Sequence, residues 1–335
     1  MPYSLHSHSG QFCKHASGSL EEVVNVAVKH GFEIYGLTEH VPRYREQDLY
    51  PEELGISLDE LSRQFQDFLD EAHRLQTCFA SQIALLVGLE TEHISPVDLD
   101  GLSSLLDNNK GRIDYLVGSV HHVNGLPIDF DERTYERCLE SMVVSDLAAS
   151  DKAQDTLHNK RSTFLDMYFD AQYELIRRFY PEVVGHIDLC RLFTPALRVQ
   201  DYPSAWAKLE RNVAFAVAYG ALFEVNAAAF RKGWDTAYPG IDTLQLIQRL
   251  GGRLTISDDS HGPHAVGLNY SRMHTYLQQE GVSELWVLKR SATANIGGRD
   301  VCAVRVEGEW HRHVFWEKTK VPDSQALAPS TGGSS

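Results

Sequence analysis

Two histidines separated by one residue, His6 and His8, follow the first apolar run of the chain. In an extended segment side chains alternate with a period of two, so both imidazoles project to one side and can share a cation. A second His-x-His pair, His311 and His313, shows how little the spacing says alone. It follows the polar Glu307-Gly308-Glu309 stretch, where a structural or surface role is expected. Position distinguishes the first pair, because nearly every strand-like run ends in a residue that can ligate a metal. His40 closes Leu37-Thr38-Glu39-His40, Glu90 ends Leu86-Val87-Gly88-Leu89-Glu90, and His121 and His122 follow Val117-Gly118-Ser119-Val120. His186 ends Val183-Val184-Gly185, and Asp259 and His261 follow Leu254-Thr255-Ile256-Ser257.

Taken singly, each histidine fits a hydrogen-bonded structural role as well as a ligand's. Glu90 is sharper, since a carboxylate directly after an apolar strand faces a desolvation cost unless a cation or hydrogen bonds compensate it. Asp259 and His261 can face one side together, which leaves Asp258 pointing away as an orienter or a helix cap. His15 lies in the loop after the first pair and can swing back toward it.

The elements that must carry these residues alternate short apolar runs with amphipathic stretches, the pattern of βα units. Strands are expected near Tyr3–Leu5, Ile34–Leu37, Ile83–Leu89, Tyr115–Val120, Val183–Ile187, Leu222–Val225, Arg253–Ile256 and Leu285–Leu288. In a βα barrel the strand ends converge on the C-terminal rim, so scattered positions become one cluster. Helices are expected from Ser19 and from Ser57, each followed three residues later by a capping-box glutamate, Glu22 and Glu60. Others are expected near Ser162–Phe179, Ala205–Tyr219 and Ile241–Leu250, the last stopped by Gly251-Gly252. Residues 1–318 are read as one α/β barrel domain with a polar insertion at about 124–160 over the barrel mouth; 319–335, rich in Ser, Pro, Gly and Ala, read as a disordered tail.

With 46 acidic against 31 basic residues the formal charge is −15, which opposes a nucleic-acid or anionic-membrane partner. Five cysteines without CxxC spacing are expected to be free thiols, mostly buried, in a reducing compartment. No apolar run is long enough to span a bilayer and the N-terminus lacks a signal pattern, so a cytoplasmic protein is expected.

His6-Ser7-His8, His15, Thr38-Glu39-His40, Gly88-Leu89-Glu90, Gly118-Ser119-Val120-His121-His122, Gly185-His186-Ile187-Asp188 and Asp259-Ser260-His261 resemble, in order, the motifs of the polymerase-and-histidinol-phosphatase (PHP) superfamily. Residues 37–43 and 185–191 are similar to those of its stand-alone histidinol-phosphatases, and the insertions resemble those of fungal members. The resemblance implies a distorted (β/α)7 TIM-like barrel, with Leu285–Leu288 left over. It also implies three divalent metal ions. His6, His8, Glu90 and Asp259 would hold the first, Glu90 would bridge to a second on His121 and His186, and His15, His40 and His261 would hold the third. The implied reaction is hydrolysis of a small phosphomonoester, L-histidinol phosphate, in histidine biosynthesis.

Imidazole and carboxylate donors suit Zn, Mn or Fe. Two ions about 3.5–4 Å apart can activate a water for in-line attack on phosphorus. Arg191, five residues after His186, is the first choice for a phosphate clamp, ahead of Arg231 and Lys232, because a guanidinium binds two oxygens at once. His122 or Asp258 would protonate the leaving oxygen. Glu92, Asp188 and Asn226 are candidates to receive the cationic end of the substrate. Three other functions remain open: an exonuclease or phosphodiesterase, a protein-tyrosine phosphatase and a non-catalytic metal-binding barrel. A strand-binding groove would carry Lys and Arg interleaved with aromatics, and no basic run of that kind is present.

Overall fold

The computed structural model describes residues 2–143 and 153–318. The expected tail therefore lies outside the described residues, as does the middle of the 124–160 insertion. Seven strands, β1 (Tyr3–Ser4), β2 (Ile34–Leu37), β3 (Ala84–Glu90), β4 (Tyr115–Gly118), β5 (Val183–Val184), β6 (Leu222–Asn226) and β7 (Arg253–Ser257), lie side by side in chain order. Every neighbouring pair is parallel. Such strands are covered on both faces, which is why they read as continuous apolar runs. Leu85, Val87, Leu89, Leu116, Val183, Phe223 and Ile256 are all buried.

The sheet curls into a nearly closed, distorted barrel. At its seam Ser4 Oγ donates to Asp258 Oδ1 (2.9 Å) and accepts from the Asp258 amide (3.1 Å). Just beyond, two short rim strands, Ser7–His8 and Ser260–His261, pair in parallel with His8 opposite His261. Inside, Tyr115 from β4 fills the space left by Gly36 and Gly88. Its hydroxyl donates to the Leu5 carbonyl across the barrel (2.8 Å), and a Cβ on either glycine would collide with it.

Helices enclose the barrel. Helix α1 (Leu20–His30) starts with the expected Ser19/Glu22 capping box and ends at Gly31 in the left-handed region, and α2 (Leu58–Cys78) starts with the Ser57/Glu60 box. Five helices of the described residues lack an expected counterpart: α3 (Pro96–Asn108), α4 (Glu132–Glu140) and those at Ala228–Arg231, Tyr270–Gln279 and Phe315–Lys318. The helix expected from Ser162 begins at Ala153 and runs to Phe179 as α5, so part of the insertion is helical. The surplus run near Leu285 is a strand, Trp286–Arg290, paired antiparallel with Val301–Arg305 outside the barrel sheet. No helix of the described residues is long and apolar enough to cross a membrane.

Candidate metal centre

Glu90 ends β3 with its carboxylate almost fully buried at the C-terminal rim. One oxygen, Oε1, lies 3.1 Å from His121 Nε2 and 2.8 Å from His186 Nε2. The other, Oε2, lies 3.3 Å from both His6 Nε2 and His8 Nε2 and 2.9 Å from His40 Nδ1. A carboxylate with a separate set of imidazoles on each oxygen is arranged to sit between two cations. Asp259 faces the Oε2 set, with Oδ1 3.7 Å from His6 Nε2 and 3.6 Å from His8 Nε2. It turns inward through a left-handed backbone conformation (φ 45°), which Asp adopts more readily than most side chains.

The nine expected ligands all fall into compact donor groups, among them His6, His8 and Glu90; Glu90, His121 and His186; and Cys13 with His15, His40 and His261. One buried atom there, His40 Nε2, has no hydrogen-bond partner. Buried polar atoms are rarely left so, and cations are one way to satisfy them. The donor set of imidazoles and carboxylates fits divalent metal ions.

Carboxylates behind the imidazoles fix their orientation. His6 Nδ1 meets Glu224 at 2.8 Å, His121 Nδ1 meets Glu92 at 3.1 Å, and His15 Nδ1 meets Glu52 at 3.1 Å. Glu39 stands 3.4 Å from His8 Nδ1. Such partners set the ring tautomer and leave the opposite nitrogen for a ligand's role. The field within the cluster is strong. Burial by itself would raise the Glu90 carboxyl, but His6, His121 and His40 hold it well below the usual carboxylate range. Burial would likewise lower His6, yet Glu90, Asp259 and Glu224 hold it well above the ordinary imidazole value. Carboxylates of the cluster also hold His8 and His121 up against burial, whereas burial and neighbouring histidines hold His40 and His261 down, so the acidic groups that favour a proton on one side of the cluster equally favour a bound cation.

Six residues expected at the substrate or at the proton transfer have other duties. Arg191 points away from the cluster: its guanidinium is held by Asp188 (3.1 Å) and Asp242 (2.7 Å) and faces a separate cavity beside Trp234, so it is neutralised before any phosphate could reach it. Glu92 accepts from the His121 amide and meets both His121 and His122, which makes it a positioning residue; Asp188 is committed to Arg191 and the Gly240 amide. Asn226 donates to Glu224 and to Asp259 Oδ2, and so orients a ligand rather than the substrate. His122 is buried against Tyr50, off the cleft wall. Asp258 is also misplaced for proton delivery. It accepts from Ser4, Tyr35 and the amides of Ser260 and Gly267 behind the seam, where burial pushes its carboxyl up to about 6.

A cleft of ≈ 430 Å³ opens over the cluster, walled by Tyr50, Asp129, Phe130, Arg231, Lys232 and Tyr238 among others. Arg231 reaches it with one guanidinium nitrogen on the Asp259 carbonyl (3.1 Å). Sequence reasoning missed Glu224, Glu39, Tyr50, Asp129, Tyr238 and Cys13. For Glu224 there was a signal: a carboxylate in the middle of the apolar strand Leu222–Asn226. His311 and His313 lie outside every donor group among the described residues, on a 3-10 turn whose His311 carbonyl accepts from His274.

Fold and site together define a parallel barrel that gathers divalent-cation ligands at its C-terminal rim. Residues 4–228 match the PHP domain, and the chain belongs to that family. It is 44% identical over 94% of its length to a Schizosaccharomyces pombe protein named "Probable histidinol-phosphatase", covering 97% of that protein. It is 31% identical over 82% of its length to the Saccharomyces cerevisiae histidinol-phosphatase, covering 88% of it. Among solved structures it resembles the Lactococcus lactis histidinol phosphate phosphatase complexed with zinc, L-histidinol and phosphate (TM-score 0.58, 19% identity, 89% of this chain and 97% of that one).

Proposed function

We propose that this chain is a histidinol-phosphatase, a phosphoric monoester hydrolase that releases L-histidinol and phosphate from L-histidinol phosphate in histidine biosynthesis. The observation that carries this reading is the two-sided Glu90 carboxylate beneath a cleft of ≈ 430 Å³, in a chain 44% identical to a histidinol-phosphatase relative over nearly its whole length. In this reading three cation positions draw on these donors: His6, His8 and Glu90 with Asp259 beside them; Glu90, His121 and His186; and His15, His40 and His261. Zinc, manganese or iron suits these donors. When bound, such cations supply Lewis acidity and make water a nucleophile near neutral pH.

The chain's own groups bind and orient the substrate. Arg231 and Lys232 offer positive charge to the phosphoryl oxygens, where transition-state stabilisation is largest. Tyr238 has a buried hydroxyl with no partner among the described residues, and burial keeps it protonated, so it can donate to the ester or phosphoryl oxygen. Asp129, at the mouth beside Tyr50, is the acid placed to receive the substrate's ammonium group. Glu52 is less available because it holds His15. Residues 1–318 form one catalytic unit in this reading, which acts in the cytoplasm on a small molecule and engages neither nucleic acid nor membrane.

The test is substrate preference. Purified protein of measured metal content should release phosphate from L-histidinol phosphate far faster than from nucleotides, phosphotyrosine peptides or single-stranded DNA. Faster turnover of any competitor would overturn the reading.

A further inference from the structure

We infer that Cys13 supplies a thiolate to the third cation position, joining His15, His40 and His261 in a four-donor set of one sulfur and three nitrogens. The inference rests on the three-cation reading above and adds a ligand type that the donor pattern of the sequence does not suggest. One donor atom from each of the four residues lies within 4.8 Å of all the others. Cations bound at about 2.3 Å from sulfur and about 2.0–2.1 Å from nitrogen require that closeness. Cys13 Sγ is 3.2 Å from His15 Nε2.

The three imidazoles are turned for this. His15 commits Nδ1 to Glu52 and His261 commits Nδ1 to the Asp259 carbonyl (3.0 Å), while His40 Nε2 is buried with no partner. Each therefore has one nitrogen left for a cation. The loop behind the thiol is fastened as well. The Cys13 amide donates to the Ser9 carbonyl (2.9 Å), and Ser9 donates through both its amide and its hydroxyl to Glu39, the carboxylate behind His8. The loop that carries Cys13 is thus fastened to the frame of the first cation position.

The other thiols contrast with it. Cys138 donates to the Val123 carbonyl, Cys78 and Cys302 are exposed, and none of the remaining cysteines joins a donor group among the described residues. Binding exchanges the S–H proton for an S–metal bond, with the proton released to solvent. A thiolate makes this position softer than the other two, favouring zinc or iron over manganese. It also fills a tetrahedral shell, so the third cation would contribute charge rather than an open coordination position.

The test uses the full chain with the exposed Cys78 and Cys302 replaced by serine, stripped of metal and titrated with cobalt(II). A near-ultraviolet sulfur-to-cobalt charge-transfer band should grow with cobalt uptake and be lost on adding Cys13→Ser, while the visible bands of histidine-bound cobalt remain. X-ray absorption of the zinc-loaded protein needs no Cys13 variant and should show a sulfur neighbour at about 2.3 Å. Cobalt uptake without the band, a band that survives in C13S, or zinc with only nitrogen and oxygen neighbours would each overturn the thiolate and leave the phosphatase reading standing. Failure to take up cobalt at all would overturn the thiolate together with the three-cation reading, and hydrolysis of L-histidinol phosphate, assayed separately, decides the phosphatase reading.

Discussion

His6 Nδ1 lies 2.8 Å from Glu224 Oε1, and that contact aims the opposite nitrogen of the ring at Glu90. Glu224 also accepts from the Ser257 hydroxyl (2.6 Å) and the His186 amide (2.8 Å), so one buried carboxylate in β6 aligns ligands from two other strands. Glu224→Gln should keep the fold and weaken cation retention by about 10–100-fold, the range for groups that orient ligands. Competition with a chelator measures this. Retention equal to that of the parent protein would show that Glu224 only packs the barrel.

Glu90→Gln leaves a single oxygen to serve two groups of imidazoles. Its activity should fall by more than about 100-fold, beyond the effect of groups that merely orient ligands. His311→Ala, on the outer 3-10 turn, should leave kcat and KM nearly unchanged. Comparable losses in the two variants would mean that the site has been placed wrongly.

The two arginines should separate cleanly. Arg191→Ala strands the Asp188 and Asp242 carboxylates, and breaking a buried ion pair costs about 3–5 kcal/mol, so the variant should melt lower while the surviving folded enzyme keeps its KM. Arg231→Ala should raise KM for the phosphomonoester with a smaller change in thermal stability. Thermal denaturation and steady-state kinetics on both variants decide it, and the reverse pattern would restore Arg191 as the phosphate ligand.

Asp129→Asn removes a charge from the cleft mouth and spares the cation ligands. KM should rise for L-histidinol phosphate, by about tenfold if about 1.4 kcal/mol of interaction is lost. It should not rise for an uncharged aryl phosphate. Parallel increases for both substrates would indicate damage to the cleft in general.

The rim was legible because strand ends are where an apolar run meets a ligand-type residue, and His6, Glu90, His186 and Asp259 all announce themselves in this way. What lay inside strands or depended on loop direction was less so. Glu224 is hidden by its apolar neighbours, although the same neighbours make its charge conspicuous in retrospect. The spacing from His186 to Arg191 said nothing of the 3-10 turn at Leu189–Arg191, which sends the guanidinium toward Asp242. Cys13 lacked a paired spacing, and its proximity to His40 and His261 arises only when the barrel brings distant segments together. Helix α3 was obscured by Gly101, a weak helix former in its interior.

The seam between the rim strands Ser7–His8 and Ser260–His261 gives the molecule a check on its own completion. The chain's opening residues wait for a partner that is more than 250 positions away, and neither half alone presents the full set of donors around Asp259. A truncated or misthreaded chain would leave His6 and His8 without their counterpart. Tight capture of metal is therefore a report that the first strand and the last have found each other in register.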